Sequence, residues 1–296
     1  MDTGIQCDLP SWLAETKAWA DRALLRFMPV GEAQPARLFG AMRHPFLGGG
    51  KRLRPALVRL VCSEFGGPDE AAERPAAAIE LVHSYSLIHD DLPCMDDDEL
   101  RRGRPTVHVA YDEATAVLAG DALLTLAFEV LAAAPEGARL VGVLARDAGA
   151  SGMVGGQMLD LSLELNQSAR LEAVLDMHRR KTAALFAAAA EMGAIAAGAR
   201  GEKRLQARHF GMTLGCAFQA VDDLLDVTGD AQTLGKTPGK DAALERATLV
   251  AAAGFERASE LAEELTQEAF RSLEALGWAP ESRAGQILDF VLARQA

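Results

Sequence analysis

Aromatic side chains are scarce in this chain of 296 residues: they make up 5% of it, with three tryptophans and two tyrosines. Sheets draw on aromatic and β-branched residues to pack their pleated faces. Here the apolar 49% comes mostly from alanine and leucine, the composition of packed helices. No stretch alternates apolar and polar residues over a strand's length beside a hairpin signal. Cysteine is rare too. Cys7, Cys62, Cys94 and Cys216 are scattered, which excludes a zinc knuckle and a disulfide framework and fits thiols in a reducing compartment. Basic residues are outnumbered, 30 Lys+Arg against 42 Asp+Glu, for a net charge of −12. A general nucleic-acid binder needs a basic face, so no nucleic-acid partner is expected. The first ten residues hold Asp2 and Asp8 and no basic-then-apolar signal pattern. No uncharged run approaches the ~20 residues of a membrane span, and even 183–199 is broken by Glu191. The expectation is a cytoplasmic protein with no stable membrane insertion.

What is there is helical periodicity. It predicts helices over 11–28, 34–43, 53–65, 69–90, 114–134, 137–166, 168–199, 203–228, 243–276 and 281–294. Ser11 and Asp69 are the expected N-caps of the first and fourth. Glycine and proline punctuate the gaps, at 46–50, 66–68, 103–105 and 235–239. With no linker and no fixed repeat, the expected fold class is all-α: one domain over 1–296, a bundle of about ten helices.

Two aspartate-rich clusters stand out. Residues 90–98 read Asp-Asp-Leu-Pro-Cys-Met-Asp-Asp-Asp, and 222–226 read Asp-Asp-Leu-Leu-Asp. Each ends an otherwise apolar stretch. Two like charges ~4 Å apart repel by roughly 4 kcal/mol at an effective dielectric of about 20, so such clusters call for a cation. An all-oxygen donor set favours Mg²⁺ or Mn²⁺, and Mg²⁺ shares its shell with substrate phosphates. In the first cluster Pro93 ends or kinks the helix, and the chain beyond can fold Asp96 back toward Asp90. Arg101, Arg102 and Arg104 follow, guanidinium groups suited to phosphate oxygens. In the second, helical spacing puts Asp222 and Asp226 on one face, with Gln219 able to reach a ligand or a neighbouring carboxylate. A basic run, Gly-Gly-Gly-Lys-Arg-Leu-Arg-Pro at 48–55, offers Lys51, Arg52 and Arg54 at a helix start, an anion site. It lacks the spacing of a nucleotide P-loop. His83 lies two turns before Asp90 on the same face and reads equally as a core histidine. Lys181 reads as an inward cation or an ordinary helical lysine, and Lys236 as a site or loop lysine. Taken together, the basic groups exceed what one diphosphate needs and suggest two anionic substrates.

These motifs, in this order, closely resemble the trans-prenyltransferase (polyprenyl synthetase) family, especially its bacterial short-chain members. The resemblance runs from Gly48 to the C-terminal segment. It implies an all-α fold around a deep cavity, a homodimer, and condensation of isopentenyl diphosphate with dimethylallyl or geranyl diphosphate. It implies that Asp90, Asp91 and Asp96 bind two Mg²⁺ and Asp222 a third, with Mn²⁺ as a substitute. Arg101, Lys181 and Lys236 would contact the allylic diphosphate, with Gln219 nearby. Lys51, Arg54, His83 and Arg102 would hold isopentenyl diphosphate. Thr182 and Gln157 match positions that stabilise the allylic cation. Tyr85, with Ser86 beside it, matches the position that limits chain length, and the expected product has fifteen carbons, farnesyl diphosphate. Geranyl or geranylgeranyl diphosphate synthase is the alternative within the family, and a terpene cyclase or a non-catalytic subunit lies outside that activity. Two positions depart from the usual pattern: Arg246 where a lysine is common, and Phe290 where tyrosine is.

Overall fold

The computed structural model describes residues 8–29, 35–164, 170–228 and 247–292. The chain runs through α1 (Leu9–Phe27), α2 (Ala36–Leu47), α3 (Leu53–Glu64) and α4 (Asp69–Asp90). A two-residue antiparallel ladder follows, β1 (Leu100–Arg101) against β2 (Arg104–Pro105). Then come α5 (Val107–Ala110), α6 (Glu113–Ala132), α7 (Gly137–Ala148), α8 (Met153–Glu164) and α9 (Leu171–His178). A π-helical turn (Arg179–Ala183) joins α9 to α10 (Ala184–Ala196). The chain ends with α11 (Gly201–Thr228), α12 (Leu249–Ala253), α13 (Phe255–Ala275) and α14 (Arg283–Leu292).

The expected all-α fold is present, with differences at the joints. Asp8, not Ser11, caps α1: its Oδ1 accepts the Ser11 N–H at 3.0 Å. Pro68 stands at the N-cap of α4, so Asp69 is its first helical residue and favours the positive helix end by charge. The predicted helix over 137–166 is two helices, because the chain turns through 149–152, where Gly149 ends α7. The predicted 243–276 helix is broken at Gly254, whose φ of 81° suits glycine alone. The β-ladder escaped the sequence reading because it is too short to show alternation. Its turn places Arg102 and Gly103 at φ 54° and 72°, the geometry of tight hairpin turns.

α10 is the axis of the molecule: Ala184 through Ile195 are all buried. Phe186 and Phe210 are among the largest fully buried side chains, each contributing about 1.5–3 kcal/mol of burial. The alanine-rich face lets α11 come close. A Cβ on Gly211 would lie 2.4 Å from the Phe186 carbonyl oxygen, and one on Gly215 2.6 Å from the Ala183 Cα. Glu191, which interrupts the apolar run, is 1% exposed and accepts from Arg146 Nη2 at 2.6 Å and Arg208 Nη1 at 3.1 Å. Arg208 also donates to buried Asp147, so this ion cluster ties α7, α10 and α11 together.

After Glu113, α6 carries only two charges, Asp121 and Glu129, both exposed, and by length and composition it is apolar enough to cross a membrane. Its inner face, including Ala116, Ala119, Gly120 and Leu123, is buried. Val117 and Leu118 on its outer side are exposed. Among the described residues Cys62, Cys94 and Cys216 are free thiols.

Candidate active site

α4 ends where the first aspartate cluster begins. Pro93 stops the helix, and the chain turns back: Asp96 N–H donates to the Asp90 carbonyl at 2.8 Å, and Asp98 N–H to that of Asp91 at 3.2 Å. The return of Asp96 to Asp90 expected from the sequence is therefore a backbone hydrogen bond. The Asp90 carboxyl is pushed up to about 7, first by burial. Asp96 and Asp91 push the same way, against Lys181 and Arg101. Five groups from α4, the loop, β1 and the π turn thus share one electrostatic neighbourhood. Asp91 is buried and accepts from Arg101 Nε at 2.6 Å. Asp98 stands 3.5 Å from the same guanidinium.

The π turn projects the facing groups. π turns inside helices often mark functional sites, and this one carries Lys181, which acts on Asp90, and Thr182. Lys181 donates to Asp160 of α8. Close approach of α8 requires Gly156, whose Cβ would lie 2.2 Å from the Lys181 backbone nitrogen; Gln157 is the next residue. Thr182 Oγ1 donates to Gln219 Oε1 at 2.7 Å, and Gln219 Nε2 donates to Asp223 Oδ1 at 3.0 Å. Asp223 Oδ2 accepts the Leu249 N–H at 2.7 Å. Burial pushes the Asp223 carboxyl up to about 6, opposed by those hydrogen bonds and assisted by Asp226 and Asp160. His178, 3.5 Å from Asp223, is pushed down to about 4, chiefly by burial, and so is neutral. Asp222 is half-buried beside Asp223.

The two acid clusters are thereby linked. Lys181 acts on Asp90 and bonds Asp160, and Asp160 acts on Asp223. Gln219 reaches a neighbouring carboxylate as the sequence suggested, whereas Asp160, His178 and the Leu249 N–H were not singled out from the sequence. The run Gly-Gly-Gln-Met-Leu-Asp at 155–160 was the available signal for Asp160.

A cationic group lies along the same α4. His83 is held well below the usual imidazole range, first by burial and then by Arg54, Arg102, Arg101 and Arg52. Arg52 is spent on structure, bonding Asp21 at 2.8 Å and Glu80 at 2.7 Å. Arg54 is different. Its guanidinium stacks 4.8 Å over Phe186, and its buried Nε has no hydrogen-bond partner. Burial pulls it down to about 10 despite the charge of Glu80. An unsatisfied buried guanidinium N–H costs free energy that an anion would recover. Arg102 donates to the Gly49 carbonyl, and Lys51 is exposed at the loop's edge.

A family model, Polyprenyl synthetase, matches residues 35–276. The chain belongs to this family. It is 44% identical over 277 residues to the farnesyl diphosphate synthase of Escherichia coli K12, covering 91% of this chain and 92% of that one. It is 43% identical over 263 residues to the chloroplastic geranylgeranyl pyrophosphate synthase of Catharanthus roseus, covering 87% and 72%. Among solved structures, a geranyltransferase of Helicobacter pylori complexed with magnesium and isoprenyl diphosphate superposes with a TM-score of 0.80, at 35% identity and 96% and 97% coverage. The chain is a short-chain trans-prenyl diphosphate synthase, a prenyltransferase acting on isoprenyl diphosphates.

Among the described residues no three His, Cys, Asp or Glu side chains converge into a cage. The donors are nevertheless hard oxygens, with Asp90 held near 7 first by burial and then by Asp96 and Asp91, which suits an ion that completes its shell with water and diphosphate. The residues fit that group. Tyr85 is buried, one turn before His89, with the two rings edge to face at 5.7 Å. Ser86 Oγ donates to the His83 carbonyl at 2.9 Å. Phe290 is 43% exposed on α14. Lys236 and Arg246 lie outside the described residues.

Proposed function

We propose that this prenyltransferase is a (2E,6E)-farnesyl diphosphate synthase, joining isopentenyl diphosphate head to tail to dimethylallyl and then geranyl diphosphate. The condensing role is carried by one observation: a second, cationic group, with Arg54 of α3 and Arg102 acting on His83 of α4, stands beside the helix that ends in the acidic cluster. A terpene cyclase, with a single diphosphate, has no use for it. The two relatives make different products at nearly equal identity, so Tyr85 carries the fifteen-carbon reading.

Asp90, Asp91, Asp96 and, across the cleft, Asp222 would hold magnesium, three ions per site in this reading, or manganese. When bound, the ions supply positive charge for the departing diphosphate. The magnesium of the Helicobacter relative supports this. Arg101, Lys181 and Lys236 take the allylic diphosphate's oxygens. Thr182 and Gln219 offer neutral dipoles to the allylic carbon as its C–O bond breaks, and Gln157 stands nearby. Lys51, Arg54, Arg102 and a neutral His83 hold isopentenyl diphosphate so that its double bond attacks that carbon. The proton then lost passes to the released diphosphate. The reading includes one folded unit over 1–296, a homodimer, and a cytoplasmic location, which cell fractionation tests.

Purified protein with Mg²⁺ and radiolabelled isopentenyl diphosphate should yield fifteen-carbon product from either primer. A ten- or twenty-carbon product would replace this reading with the geranyl or geranylgeranyl one. A hydrocarbon from geranyl diphosphate alone would mean a cyclase, and activity only with an added partner would mean a subunit. Tyr85→Ala should lengthen the product, and an unchanged chain length would remove Tyr85 from this role.

A further inference from the structure

Behind the second acidic cluster, α9, α11 and α13 line a cleft of about 350 Å³, at the lower end of the range of ligand pockets. The prenyl site takes the C-terminal end of α11, from Gln219 on, whereas the cleft touches α11 at Cys216. The floor is apolar: Leu261 is buried, and Leu175, Leu265 and Cys216 are half-buried. Burial pushes the Cys216 thiol up to about 11, so it is neutral. The ring of His178 closes the back wall, with Nε2 3.5 Å from Asp223.

The rim is charged, and its balance is uneven. Arg179 and Arg271 are exposed at the mouth, and neither forms an ion pair among the described residues. Of the two rim carboxylates, Glu264 is already bonded to Arg257 at 3.0 Å, while Glu268 is half-buried and uncommitted. Two uncommitted guanidinium groups therefore face one uncommitted carboxylate, in a molecule whose net charge is −12. Guanidinium forks match carboxylate and phosphate oxygens, and the leucine floor suits hydrocarbon.

We propose that this cleft is a second ligand site for a small amphiphilic anion, a short hydrocarbon chain with one carboxylate or phosphate head. The head lies between Arg179 and Arg271, and the chain lies over Leu175, Leu261 and Leu265.

The test is calorimetric titration of decanoate, and in parallel decyl phosphate, into the metal-free full-length protein. The two probes tell a carboxylate head from a phosphate head. Arg271→Glu should weaken binding roughly tenfold or more, the worth of one charge-assisted contact. Glu268→Gln should tighten it, because it removes the opposing charge. Opposite signs from two neighbouring rim positions are not what general loosening of the fold produces. Bound decanoate should also slow maleimide labelling of Cys216, read by mass spectrometry. Equal affinity in wild type and Arg271→Glu, unprotected Cys216, no measurable binding, or binding displaced by geranyl diphosphate would each overturn the proposal.

Discussion

Asp90 keeps its proton up to about pH 7 in the folded, metal-free chain, and burial is the main cause. An unfolded chain releases that proton near the ordinary carboxylate value of about 4. Between these two values the native state binds more protons, so stability falls as pH rises through the window. Asp223, raised to about 6, acts in the same direction. The metal-free protein should therefore melt at a higher temperature at pH 5 than at pH 7.5, and Asp90→Asn should flatten the difference. A melting temperature that climbs with pH in this range would contradict it. At this scale the sequence was informative where chemistry clusters along the chain, as at 90–104 and 48–55. It was silent where partners come from afar. Nothing in the spelling of Asp223 says that it accepts the Leu249 N–H, and nothing near Arg52 says that Asp21 and Glu80 will neutralise it. Neighbouring arginines, Arg52 and Arg54, look alike as text. Helix geometry turns one into structure and leaves the other unsatisfied beside His83.

The helices were legible because an alanine–leucine chain with a 3.6-residue period has few other ways to bury itself. Their joints were less so. Gly254 ends a helix by its left-handed backbone, while Gly211 and Gly215 sit inside one and serve packing. The same letter has two meanings, which tertiary contact decides. Glu191 shows the same limit: it read as an interruption in an apolar run, yet it anchors the ion cluster of α7, α10 and α11. Removing it would leave Arg146 and Arg208 facing a buried gap. Such a break in a buried pair costs about 3–5 kcal/mol, so Glu191→Ala should lower the urea midpoint sharply at an unchanged slope. A loss under 1 kcal/mol would show that the cluster contributes little.

For the whole molecule, the outer side of α6 is the surface that bears on assembly. A helix apolar enough to span a membrane buries one face in its own core and leaves Val117 and Leu118 exposed. In the proposed homodimer a second copy covers them. Leu118→Glu should then shift the protein to monomer mass in light scattering, and a wild-type chain already monomeric would refute the dimer. The design of α4 bears on product fidelity. His83, Tyr85 and Asp90 ride on one unbroken helix, which puts Tyr85 about 7.5 Å along the axis from the aspartates. A gauge cut into a hydrogen-bonded rod does not lengthen appreciably on warming, whereas one carried on a loop would. Heating from 20 to 40 °C should therefore speed turnover while leaving the ratio of fifteen- to twenty-carbon product nearly constant, as chromatography of the two reactions would show.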